Sequence, residues 1–218
     1  MITITTVLKT GNYYDYTWVD KMKRSLDRHM SMPFRFYPLT DFNHPYNSYN
    51  LEYNNPGYWN KIELFKPGLF TGQTLYIDLD NVITGDLSKL INSVAGHKFV
   101  MNRNDPTQHS FNPLPSSCIM YWETDMSHLW KTWISNTSKY WQNKYSGGSL
   151  GDQAFIRENT LIEFKLIPEL SPEENKKIIY VKSSKRYKDV ENAIMYVFSA
   201  KQKPFNTKIQ KVIDEWTD

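Results

Sequence analysis

The sequence is poor in the residues that staple, switch or anchor a chain. One cysteine, Cys118, in 218 residues excludes an internal disulfide and any zinc site built on cysteine pairs. Histidine is scarce: there are five, and none lies beyond position 128. No apolar run approaches the ~20 residues that a membrane-spanning helix needs. The net charge of +3 is too small for the basic stripe of a nucleic-acid-binding domain. The densest basic run, Lys182 to Lys188, is short and reads as a solvated loop. The N-terminus, Met1-Ile-Thr-Ile-Thr-Thr-Val, lacks a basic region followed by a long apolar one, so it reads as a strand rather than a signal peptide. These absences predict a soluble, cytoplasmic protein with no nucleic-acid partner and no transmembrane segment. Repeats, linkers and low-complexity segments are also missing, which leaves one domain over residues 1–218.

What is abundant is aromatic. Phe, Trp and Tyr make up 15% of the chain, with 7 Trp and 15 Tyr. Such rings fill cores, and they also stack on sugars and bases. Apolar patterning predicts strands at Ile2–Leu8, Phe34–Leu39, Leu75–Leu79, Phe99–Asn102, Ser116–Trp122, Phe164–Ile167, Ile178–Val181 and Ile194–Phe198. Helices are expected over Thr17–Met30, Trp59–Phe65, Asp86–Val94, Ser127–Tyr140, from Asp152 onward, and over residues 207–216. Residues 41–56 read as a loop rich in Asn, Tyr and Pro. Strands alternating with helices indicate an α/β fold with a mainly parallel central sheet. Ligands of such sheets bind at the carboxyl ends of the strands. That rule selects the loops 9–15, 78–81, 102–117 and 199–206.

The sharpest local feature is Leu75-Tyr-Ile-Asp-Leu-Asp-Asn-Val-Ile. Two carboxylates two residues apart follow an apolar strand, and in extended chain both face one side. They repel unless a cation lies between them. Mg²⁺ or Mn²⁺ suits them, because hard cations take oxygen ligands and complete their shell with substrate phosphates. An acidic turn capping the next element is the plainer alternative. Haloacid-dehalogenase-type phosphatases also carry a strand ending in Asp-x-Asp, usually near the N-terminus and with a later Gly-Asp followed by a further acid. Here Gly151-Asp152 is followed by Gln-Ala-Phe-Ile, without that acid.

Five segments, in order over nearly the whole chain, carry a resemblance. They are Thr5-Thr-Val-Leu-Lys-Thr-Gly, Tyr58-Trp-Asn-Lys-Ile-Glu-Leu-Phe, Leu75 through Leu87, Gly151-Asp-Gln-Ala-Phe-Ile, and Phe198-Ser-Ala-Lys-Gln-Lys-Pro. Together they resemble bacterial and phage GT-A glycosyltransferases related to the glycogenin and lipopolysaccharide galactosyltransferase family. The resemblance implies a Rossmann-like GT-A domain that moves a sugar from a nucleoside diphosphate, with UDP expected, to an acceptor hydroxyl on a glycan or another molecule. It also hints at retention of anomeric configuration. It places Thr6, Val7 and Leu8 in the nucleoside pocket, with Tyr13 or Tyr14 over the base. Lys61 would face the donor diphosphate, and Asp78, Leu79 and Asp80 would form the metal and donor site. Asp152 and Gln153 would sit by the transferred sugar, as the candidate catalytic pair. Lys201 and Lys203 would balance the departing diphosphate.

One departure stands out. The family's closing loop begins with a metal-binding His, and Ser199 takes that position here, followed by Ala200 where Gly is usual. A hydroxyl is a weaker, neutral ligand, so a nucleotide-sugar-binding protein with little turnover is a rival. A sugar-phosphate nucleotidyltransferase is another, though Lys9-Thr-Gly-Asn-Tyr-Tyr lacks its Gly-rich, Arg-containing loop.

Overall fold

A computed structural model describes residues 1–43, 45–55, 57–103, 114–137, 151–181, 189–198 and 202–217. In chain order its strands and helices are β1 (Ile2–Thr5), β2 (Val7–Leu8), α1 (Tyr16–His29), β3 (Phe34–Phe36), β4 (Leu39–Thr40), β5 (Tyr49–Asn50), a 3-10 helix (Gly57–Phe65), β6 (Thr74–Ile77), β7 (Val82–Ile83), α2 (Ser88–Val94), β8 (Phe99–Arg103), β9 (Pro115–Trp122), α3 (Ser127–Ser135), α4 (Asp152–Asn159), β10 (Lys165–Leu166), α5 (Ile167–Leu170), α6 (Pro172–Asn175), β11 (Ile178–Val181), β12 (Met195–Phe198), a second 3-10 turn (Pro204–Asn206) and α7 (Gln210–Thr217).

The main sheet has the order β10-β8-β9-β6-β1-β3. It is parallel except at β9, which runs antiparallel to both β6 and β8. Both faces are covered, as a mainly parallel sheet requires. Period-two alternation sorts its side chains between two apolar layers. Ile2, Ile4, Leu75, Ile77, Val100, Ile119 and Tyr121 join α1, α2 and α7 on one face. Tyr76, Phe99, Met101, Met120 and Trp122 join the 3-10 helix, α3 and α4 on the other. Each fully buried aliphatic side chain contributes about 1.5–3 kcal/mol. Two three-stranded sheets complete the fold, β11-β12-β7 and β2-β4-β5.

Several elements differ from the sequence expectation, for identifiable reasons. Ile2–Leu8 is two strands, because pairing changes partner at Thr6: Tyr37 donates to Ile4, but Leu39 donates to Thr6. The matching break in Phe34–Leu39 falls at Pro38, which has no N–H for the ladder. Trp59–Phe65 lies within a 3-10 helix; the Asn60 amide donates to the carbonyls of Asn55 and Gly57, competing with regular helical bonding. Ile167 leaves the expected strand to start α5, with a proline in its first turn and Glu169 accepting from the Leu166 N–H at 3.0 Å. The helix from Ser127 ends at Ser135, and the last helix starts at Gln210. Short strands β5 and β7 carry too few residues to show a pattern. No described helix is long and apolar enough to cross a membrane. Lys182 to Lys188 lies outside the described residues.

Candidate active site

The carboxyl ends of β1 and β6 open into a cavity of about 600 Å³. Register explains why they meet: Thr3, Ile4 and Thr5 lie level with Thr74, Leu75 and Tyr76, so the segments that follow leave the sheet together. Val7, Leu8, Gly11, Asn12 and Tyr14 form one wall, and Asp78, Leu79 and Asp80 the floor. Gly57, Tyr58, Lys61, Ser116, Ser117, Cys118, Asp152 and Gln153 close the other side.

Asp78 continues the alternation of β6 onto the face of Tyr76, whose hydroxyl donates to it. The 3-10 helix covers that face, and this is how Lys61 arrives. Its ammonium is 2.9 Å from Asp78, 2.8 Å from Asp152 and 3.1 Å from the Ser117 hydroxyl. Ser117 in turn donates to Asp152 at 2.6 Å. Burial disfavours the charge on Lys61, but Asp152 and Asp78 outweigh it and lift the lysine pKa above its ordinary value. Asp152 does not cap α4. Gly151 holds the cap position in the left-handed region at φ +79°, and the Asp152 carboxylate is spent on Lys61 and Ser117.

Asp80 is held from the opposite direction. The Lys203 ammonium bonds to it, and the Tyr14 hydroxyl lies 3.4 Å away. Burial and the Asp78 charge raise the Asp80 pKa, opposed by Lys203. Burial and Asp80 likewise push the Tyr14 hydroxyl up. Among the described residues, three carboxylates thus share two ammonium groups, a formal surplus of one negative charge.

That surplus suits a cation. Among the described residues no group of three His, Cys, Asp or Glu side chains is assembled to hold a metal alone. The donor set of Asp78 and Asp80 instead fits a hard divalent ion that brings phosphate and water oxygens with it. Ser199 and Lys201 lie outside the described residues.

Of the other expected residues, Val7, Leu8, Tyr14, Lys61, Leu79 and Gln153 line the cavity with the aspartates. Thr6 is fully buried beneath it, with its hydroxyl unpartnered. Tyr13 is not among the lining residues; it packs on Tyr14 at 4.7 Å and on Phe205 at 5.3 Å. Sequence reasoning reached Ser116 and Ser117 only as the end of loop 102–117, and gave no site role to them, to Cys118 or to Tyr76. Ser116 and Ser117 come from the start of β9, and only its reversed direction brings a strand's beginning to this edge. Burial raises the Cys118 thiol to a pKa of about 11, which leaves it unreactive at neutral pH.

No protein-family model matches the sequence, and no curated protein sequence does either. Solved structures do match. Glycosyltransferase GlyE of Streptococcus pneumoniae TIGR4 superposes with a TM-score of 0.60 at 11% identity, over 99% of this chain and 60% of that one. Galactosyltransferase LgtC, solved with donor and acceptor sugar analogs, gives 0.64 at 10% identity, over 100% and 95%. The bifunctional glycosyltransferase WbbM gives 0.61 at 12%, over 100% of this chain and half of that one. With a central mixed sheet flanked by helices, these likenesses give the chain the fold of GT-A glycosyltransferases.

Proposed function

We propose that the chain is a single-domain glycosyltransferase. It moves a sugar from a nucleoside-diphosphate donor, UDP being the favoured nucleotide, to an acceptor hydroxyl. The observation that carries this reading is the meeting of Asp78, Asp80, Asp152 and Lys61 in one cavity at the carboxyl ends of β1 and β6, with Lys203 bonded to Asp80. Val7 and Leu8 offer an apolar bed for the nucleoside, with Tyr14 beside it. Asp78 and Asp80 would hold Mn²⁺ or Mg²⁺ against the diphosphate. Such an ion neutralises charge on a leaving diphosphate.

The chain's own residues do the rest. Lys61 fixes Asp78 and Asp152 at a set separation, so the donor meets oriented carboxylates at little reorganisation cost. Lys203 is proposed to exchange Asp80 for the departing diphosphate, with Lys201 assisting. Asp152 and Gln153 offer polar atoms to the hydroxyls of the transferred sugar. In the transfer, the bond from the anomeric carbon to the phosphate oxygen breaks and its electron pair leaves with the diphosphate. The acceptor oxygen bonds to that carbon, and its proton passes to the released diphosphate or to water.

Release of UDP from a panel of UDP-sugars with Mn²⁺ is the test, with Asp80→Ala as control. Turnover by the wild type and none by the variant is expected. UDP-sugar binding without release would favour a second reading, a nucleotide-sugar-binding protein. The bond of Lys203 to Asp80 Oδ2 supports that reading too, because it competes with a metal for that carboxylate.

A further inference from the structure

Residues 9–14 supply most of the wall on which the nucleoside is read, yet regular pairing reaches only its near edge. β2 runs parallel to β4 with Leu8 level with Thr40, and the paired register ends there. A side chain takes the next step. The Asp41 carboxylate accepts from the Thr10 N–H at 3.0 and 3.1 Å, from the Thr10 hydroxyl at 2.7 Å and from the Lys9 ammonium at 3.3 Å. Lys9 and Thr10 line the cavity, and Asp41 itself does not. Burial would raise the Asp41 pKa, but the bonds from Thr10 and Lys9 hold it below the ordinary carboxylate value. The carboxylate is therefore charged at neutral pH, and bonds to a charged acceptor are stronger than neutral ones.

What Asp41 supports is uncommon backbone. Gly11 has φ +142°, and Asn12, at φ +54°, is a left-handed residue that is not glycine. Paired bonds close the turn: the Gly11 N–H donates to the Tyr14 carbonyl at 3.1 Å, and the Tyr14 N–H to the Gly11 carbonyl at 2.9 Å. The far end is tied by the Trp18 indole, which donates to the Tyr13 carbonyl at 2.8 Å. Asp41 ties the near end. Bonds of this kind, one step behind the contact residues, are what keep a binding wall in one geometry. We propose that Asp41 is a positioning residue: through Thr10 it holds residues 9–14 in the shape that receives the nucleoside before the ligand arrives. The proposal rests on the nucleoside reading given above.

Calorimetry with three probes tests it: uridine, UDP, and Mn²⁺ with pyrophosphate. Asp41→Ala is expected to weaken uridine and UDP by the same factor, about five- to thirtyfold, as the left-handed loop becomes a minor state. Mn²⁺ with pyrophosphate needs Asp78 and Asp80 rather than the loop, and should keep its affinity. Thr10→Val removes the hydroxyl bond alone, on an exposed residue, and should give a smaller loss in the same sense; it serves if Asp41→Ala disturbs the fold. Amide exchange reads the loop with no ligand present. The Thr10, Gly11 and Tyr14 amides should exchange faster in Asp41→Ala, and those of β1 and β6 at the wild-type rate. Uridine and UDP affinities unchanged in both variants would overturn the role. So would a loss for UDP alone, which would make Lys9 a direct phosphate contact, or an equal loss for Mn²⁺ with pyrophosphate, which would make Asp41 a general support of the fold. A wild type that binds neither uridine nor UDP would overturn the nucleoside reading, and the role with it.

Discussion

Lys61 is the residue on which the site's order depends. A buried ammonium with two carboxylate partners cannot be removed without stranding both of them. Lys61→Met is expected to cost about 3–5 kcal/mol of stability, the toll of breaking a buried pair from one side, read from the urea midpoint. Its folded pKa lies above the unfolded lysine value. While its carboxylate partners are ionised, the pairing therefore contributes fully below that unfolded value, near 10.5, and fades as pH climbs through the folded one. A loss of this contribution at neutral pH would contradict the geometry. Lys203 differs, because its partner Asp80 also faces the cavity. Lys203→Ala should bind Mn²⁺ more tightly without nucleotide and UDP less tightly with it; calorimetry with each ligand reads both. At this scale the aspartate pair was legible, since a spacing of two residues on an extended strand has one geometric meaning. Lys61 was legible only as a cation expected near phosphate. Its bond to Asp152, across ninety-one positions of sequence, follows from packing that no local pattern records.

Asp86 shows what an element boundary can hold. It accepts from the N–H and hydroxyl of Ser88 at 2.9 and 2.6 Å, and from those of Ser31 at 3.2 and 2.6 Å. It thus ties the end of α1 to the start of α2, whose cap residue Leu87 has no side-chain bond of its own. Burial alone would raise its pKa, yet the four donors pull it from 3.8 down to about 2. Stability from this carboxylate is present above the unfolded pKa and is lost as pH falls from about 4 through about 2. Asp86→Asn should cost roughly 1 kcal/mol at pH 7, allowing for solvent screening, and should flatten the acid limb in that window; denaturation from pH 2 to 6 reads both. The elements themselves were legible where apolar periodicity ran long, as in α1, β6 and β9. Partner changes at Thr6 and Pro38 were not, because a run of β-branched residues says nothing about which strand lies alongside. Nor does alternation carry a direction. The reversal of β9 brings Ser116 and Ser117 to the site, and a pattern of period two reads alike from either end.

At the scale of the molecule, two apolar layers grip one sheet whose strand ends open into the cavity, so ligand binding and folding are linked. UDP with Mn²⁺ at about a hundred times their dissociation constant should add about 2.7 kcal/mol. For a chain of this size that raises the melting temperature by about 5–10 °C. Differential scanning fluorimetry should show this shift in the wild type and not in Asp80→Ala. The clamp on Asp80 also bears on where the working unit stops. The strands among the described residues are complete by Phe198, and a boundary drawn for expression would naturally fall there. Beyond it come Lys203, Phe205 and Trp216, the last packed on Trp18 at 4.6 Å. A chain cut after Phe198 would keep the residues of its sheets yet leave Asp80, beside Asp78, without its ammonium partner. Its weakness would then be electrostatic as well as apolar, and one neutralising substitution should repair part of it. Asp80→Asn is expected to raise the urea midpoint of residues 1–198 more than that of residues 1–218. Equal effects in the two lengths would mean that the tail supplies packing alone.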